Sequence, residues 1–117
     1  MKTLFAFGFI PVPVFYVSRW FANGFSPLVC IVIEKVFAND DALHRHELLH
    51  IEQAYKTGLL PHALLYLLSA RYRQWAEVAA YKVSIQYGLK PELAARFLST
   101  NYRLNISQSE ALALLTK

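Results

Sequence analysis

The stretch His46-Glu47-Leu48-Leu49-His50 limits the fold of this chain more tightly than any other. Two histidines four residues apart meet on one face of an α-helix. On a helix, H-E-x-x-H is the pattern that brings two imidazoles to one zinc ion. Zinc takes neutral imidazole nitrogens at about 2.0–2.1 Å, and a catalytic zinc needs one further protein ligand and one position left open for water. Glu47, beside the first histidine, is placed to take a proton from that water. The competing reading is an ordinary pair of core or surface histidines, so the surrounding sequence has to supply the context.

Upstream, the segment from Pro27 to Phe37 is rich in β-branched and apolar residues and reads as a buried strand. Pro27 suits a strand start or a sheet edge. From its place just before the motif, this strand is expected to lie beside the metal and to accept an extended peptide as an added strand. Residues 4–17 read as one or two further strands, leading to a turn around Asn23-Gly24. Asn39-Asp40-Asp41 supplies turn residues and N-cap candidates, with negative charge where the helix dipole favours it. The spacing predicts a helix from Asp41 to Thr57, stopped by Gly58. His46, His50, Gln53 and Thr57 share a face of it, and Leu48 points nearly opposite His46. Such a helix is buried almost all round.

A second helical stretch is predicted over residues 61–87, where Arg73, Glu77 and Tyr81 are spaced by four on one side. Glu77 is the only acidic residue between Glu52 and Glu92, and it stands among Trp75, Ala76, Val78, Ala79 and Ala80. A carboxylate there needs a partner, and Arg73 one turn earlier is one option. After Gly88, two short helices are predicted within residues 91–117, with Pro91 opening the first and a capping box, Ser107 to Glu110, opening the second.

With the histidine pair, its neighbouring glutamate and a later isolated glutamate in place, the chain resembles the gluzincin zinc metallopeptidases, and in its short length the single-domain minigluzincins. The resemblance spans residues 27–87. It implies an α+β, zincin-like core, with a short antiparallel or mixed sheet packed on a central active-site helix and further helices C-terminal. It also implies one zinc ion per chain held by His46, His50 and Glu77, with Glu47 as the catalytic base in peptide-bond hydrolysis. Glu52 and Glu92 are the fallback carboxylates. Larger gluzincins often place an asparagine before the ligand glutamate and an aspartate four residues after it. Here those positions are Ala76 and Tyr81, so Gln53 and the Tyr81 hydroxyl are the expected replacements for orienting the histidines. Tyr81 is also an expected catalytic donor to the oxyanion, together with Arg73, with Tyr72 and His62 behind them. The resemblance further suggests a segment, residues 107–117, that blocks the cleft through Glu110 or the terminal carboxylate. His44 is expected to face away from the metal, and His62 to be a helix-start residue.

The 117 residues allow one domain with a modest core, and 56% hydrophobic against 17% charged composition excludes a disordered chain. The net charge of +4 is spread without a block. Arg71-Tyr72-Arg73-Gln74-Trp75 is the densest basic and aromatic patch, but helix periodicity scatters it over different faces, so no nucleic-acid site is expected. A single cysteine, Cys30, excludes an internal disulfide and reads as a small buried hydrophobe. The apolar N-terminal stretch holds Pro11 and Pro13 and lacks a small-residue cleavage site, so a cytoplasmic location is expected, with no transmembrane segment. Leu59-Leu60 and residues 63–68 form another apolar run, expected to pack on the central helix. A peptide or protein in extended conformation is the expected partner. The alternative is a non-catalytic zinc-binding module, structural or regulatory, on the same fold.

Overall fold

Alternating apolar side chains build the N-terminal hairpin. In the computed structural model, which describes residues 2–18, 24–25 and 30–117, strand β1 (Lys2–Ala6) pairs antiparallel with β2 (Ile10–Val17). Leu4, Ala6, Val12 and Val14 face inward, as the two-residue period of a half-buried strand requires. The strands join through Phe7 and Gly8, both at positive φ (54° and 83°), with Phe9 N–H donating to the Ala6 carbonyl at 3.1 Å. This mirror-image turn matches the natural twist of a hairpin.

Strand β3 (Gly24–Phe25) and β4 (Ile31–Glu34) complete a mixed sheet of order β1-β2-β4-β3. β4 runs parallel to β2 and antiparallel to β3. The strand foreseen from Pro27 to Phe37 is therefore shorter, and Lys35–Phe37 forms a 3₁₀ turn instead. It is also central, because both of its edges are hydrogen-bonded to neighbours. Substrate cannot add to it, and the expectation of an added peptide strand there is overturned. Asn23 and Pro27, named above as turn and strand start, lie outside the described residues. Cys30, free and half-buried, sits just before β4.

Helix α1 (Asp41–Thr57) has the predicted bounds. The Asp40 carboxylate accepts from Leu43 N–H at 3.0 Å, and Gly58 ends the helix at φ 104°. The second helical stretch is not one helix. It divides into α2 (Leu59–Leu68) and α3 (Ala70–Gln86) at Ser69, whose side chain accepts from Tyr72 N–H. Helices α4 (Pro91–Asn101) and α5 (Gln108–Leu115) follow as expected, with the full capping box at Ser107 and Glu110.

Two cores result. Leu4, Val12, Val14, Ile31 and Ile33 of the sheet pack with Leu48 and Ile51 of α1. Tyr81 of α3 packs with Ala94, Ala95, Leu98, Leu104, Ala111 and Leu115. Helices α1 and α3 lie against each other between these cores, which brings residue 46 to residue 77.

Candidate metal centre

His46 and His50 point from α1 toward Glu77 on α3. The Nε2 atoms of His46 and His50 lie 3.1 and 3.2 Å from Glu77 Oε1 and 3.2 Å from each other. Donor atoms about 2.0–2.1 Å from a tetrahedral ion stand about 3.3–3.4 Å apart, so this spacing matches the edge of a metal coordination shell. The three residues form a buried His-His-Glu group that can hold a metal ion. Their exposures are 4%, 8% and 2%.

The outer atoms of the group are held as well. Gln53 Nε2 donates to the Ala76 carbonyl at 3.0 Å, which turns its Oε1 to His50 Nδ1, 3.0 Å away. The Ser84 hydroxyl donates to the carbonyl of Ala42 or Ala80 and keeps a lone pair for His46 Nδ1 at 3.2 Å. With a metal ion bound, both imidazoles would carry their proton on Nδ1, toward Gln53 and Ser84, and turn Nε2 to the ion. Tyr66 of α2 donates its hydroxyl to the other carboxylate oxygen, Glu77 Oε2.

Charge follows this geometry. Burial opposes the charged form of His50, but the Glu77 carboxylate beside it outweighs burial and raises the imidazole to about 9. Burial likewise works to raise Glu77, yet the charge of His50 and the hydrogen bonds from both histidines hold its carboxyl well below the usual range. The pair is thus an ion pair, and a divalent ion held by the group would take the place of the His50 proton. Burial, and then the Glu77 charge, push the Tyr66 phenol up, so it stays a donor.

The structure brings His46, His50 and Glu77 together on the α1–α3 interface, and Glu47, adjacent to His46 in α1, is buried. Gln53 holds His50 as expected. Tyr81 does not take the second orienting role: its ring lies edge-on to His46, centroids 4.4 Å apart, but its hydroxyl is bonded to Tyr102 at 2.6 Å. Ser84 takes that role in its place. Arg73 is neither partner nor donor for the site, because its guanidinium holds the carbonyls of Tyr66, Leu67 and Tyr102. Tyr72 bonds to Thr57 and His62. His62, expected at a helix start and as a reserve oxyanion donor, is buried in α2, where burial and then the His50 charge keep its pKa below the ordinary value. His44 faces away from the metal group, buried, bonded to the Tyr16 hydroxyl and the Asp40 carbonyl. Glu52 accepts from Phe7 N–H at 2.7 Å, and Glu92 is exposed in the first turn of α4, so neither fallback carboxylate is needed. Glu110 caps its own helix at 3.0 Å and is fully exposed, so it does not block the centre as suggested.

Tyr66 and Ser84 are the site residues that sequence reasoning missed. Ser84 lies seven residues beyond Glu77 on the same helix, two turns along its face, and that spacing was a usable signal. No protein-family model matches the chain, and neither does any curated protein or solved structure.

Proposed function

We propose that the chain is a zinc-dependent metallopeptidase that hydrolyses peptide bonds. The observation that carries this reading is the convergence of two Nε2 atoms and one carboxylate oxygen at 3.1–3.2 Å, with Glu47 next to the first ligand. The donor set of two imidazoles and one carboxylate is the one that suits a catalytic zinc. A zinc ion held there supplies Lewis acidity that polarises a peptide carbonyl and acidifies a water. Glu47 accepts the proton and delivers it to the leaving amine. Gln53, Ser84 and Tyr66 hold the three ligands in orientation and are positioning residues.

The close burial of the triad favours a second reading, a non-catalytic zinc module, since structural zinc sites are closed. Glu47→Gln separates the two. Glutamine keeps the size of glutamate but cannot take the proton, so the variant should retain stoichiometric zinc and its unfolding temperature. Cleavage of a broad peptide library should fall by at least about a hundredfold, the range general-base catalysis supplies. Equal cleavage by wild type and variant removes Glu47 as the base. Zinc-loaded wild type that cleaves nothing establishes the second reading.

A further inference from the structure

Helix α2 is amphipathic the wrong way round. His62 and Tyr66 occupy its inner face and turn toward Tyr72 and Glu77. Its outer face carries Leu60, Leu64, Leu67 and Leu68, exposed at 67%, 48%, 65% and 79%. These positions fall within one stripe of a helix, and none of the ten residues is charged. The expected packing of this apolar run on the central helix is thus met only by the inner face.

The charged residues nearest α2 along the chain are both cations, and the nearest carboxylate before it, Glu52, is engaged by Phe7 N–H. Lys56 is exposed three residues before α2, and Arg71 is exposed three residues after it. Between residues 53 and 91 the one carboxylate is Glu77, which is buried in the triad. Beyond Arg71, a groove of about 480 Å³ on α3 is lined by Arg71, Gln74, Trp75 and Lys82, which place two cations beside a half-exposed indole. At the other end, the Lys56 ammonium lies 5.6 Å from the Phe7 ring in the hairpin turn, whose tip Phe9 is 74% exposed.

We propose that this face of α2 docks on an anionic phospholipid surface, its leucines entering the interface and Lys56 and Arg71 lying among the headgroup phosphates. A leucine stripe framed by cations, with exposed aromatic side chains at its borders, is the composition of an interfacial helix. The first charged residue met on either side of α2 along the chain is a cation, Lys56 before it and Arg71 after it, and a surface of uniform negative charge matches both ends. Ten residues at about 1.5 Å each reach about 15 Å, half a bilayer core, so α2 lies on the membrane and does not cross it. No helix of the described residues is long and apolar enough to cross one. Docking holds the metal group about one helix diameter, about 10 Å, from the lipid. If the peptidase reading above is right, which this clause assumes, the substrates are segments that emerge from a bilayer.

The test is co-sedimentation of the full chain with vesicles, a readout independent of peptidase activity. Vesicles of phosphatidylcholine with phosphatidylglycerol should bind it, phosphatidylcholine alone should bind it far less, and added salt should release it. Leu64→Glu with Leu68→Glu should reduce partitioning at least about tenfold while metal content and circular dichroism stay unchanged. Lys56→Glu with Arg71→Glu, which leaves the leucines in place, should remove the preference for phosphatidylglycerol. Wild type that stays in the supernatant with both vesicles overturns the proposal, as does undiminished binding by the leucine variant. A concentration-dependent dimer that the leucine variant splits also overturns it, and assigns the face to a second copy of the chain.

Discussion

The two cores of the molecule are made of different residues. Between the sheet and α1 the filling is branched, with Val12, Val14, Ile31, Ile33 and Ile51 all at 0% exposure. Among α3, α4 and α5 it is mixed in size, with Ala94, Ala95 and Ala111, all at 0% exposure, set among Tyr81, Leu98, Leu104 and Leu115. Branched side chains fill the wide gap between a sheet and a helix, whereas alanines let helices approach closely. Between the cores, the α1–α3 interface carries Ala76 and Ala80 on one side and the polar His-His-Glu group at its centre. The comparison teaches that the metal group is also the polar clasp between two otherwise separate apolar units.

The largest effect should come from opening that clasp. Glu77→Ala strands a buried imidazolium and is expected to cost about 3–5 kcal/mol in the metal-free protein, and to weaken metal binding. Denaturant unfolding with and without zinc measures both. A loss below 1 kcal/mol, roughly the level of an exposed ion pair, would show that the cores hold together without the clasp. The same pair predicts a pH window. The folded pKa of His50, about 9, lies above its ordinary 6.5, so its contribution is complete below pH 6.5 and lost as pH rises through about 9. Glu77 is shifted the other way from 4.5, so its contribution holds above that value and fades as pH falls below it. Metal-free protein should therefore be most stable from about pH 4.5 to 6.5, and Glu77→Gln should flatten the alkaline decline. Next in size is Ala95→Leu, which over-fills the close helix packing and should cost about 1–3 kcal/mol. The smallest change expected is Ile33→Val in the branched core, about 0.5–1.5 kcal/mol by thermal unfolding. If Ile33→Val proves costlier than Ala95→Leu, the contrast drawn between the two cores is wrong.

What the sequence disclosed follows from where the stabilising contacts lie along the chain. Helix α1 was legible to the residue because its signals are local: Asp40 caps Leu43 N–H, and Gly58 closes the other end. The capping box at Ser107 was legible for the same reason. The division at Ser69 was not. Residues 61–87 read as unbroken helix, and the last carbonyls of α2 are satisfied from a distance, by Arg73 reaching back to Tyr66 and Leu67. Reading one long helix in turn hid the phase that aims His62 and Tyr66 inward. The place of β4 at the sheet centre depends on a parallel pairing with β2, across 17 residues from Val14 to Ile31, which no local pattern reveals. Of the centre itself, the motif marked His46, Glu47 and His50, while Glu77 stood out as a lone acid in an apolar stretch. Its hydroxyl neighbours did not stand out, since serine and tyrosine are common in cores.

Gly58 ends α1 and, without an intervening residue, begins α2. Its φ of 104° is one that residues with a side chain rarely adopt, and a Cβ there would meet the Pro61 ring at 3.3 Å. The joint has no slack. One residue inserted in the first turn of α2 would rotate everything after it by about 100°, swinging Tyr66 off Glu77 and bringing a leucine toward the metal group. Length between residues 50 and 77 is therefore as much a part of the site as the ligands, and a lineage that keeps the centre can change letters in this stretch far more easily than it can change their number.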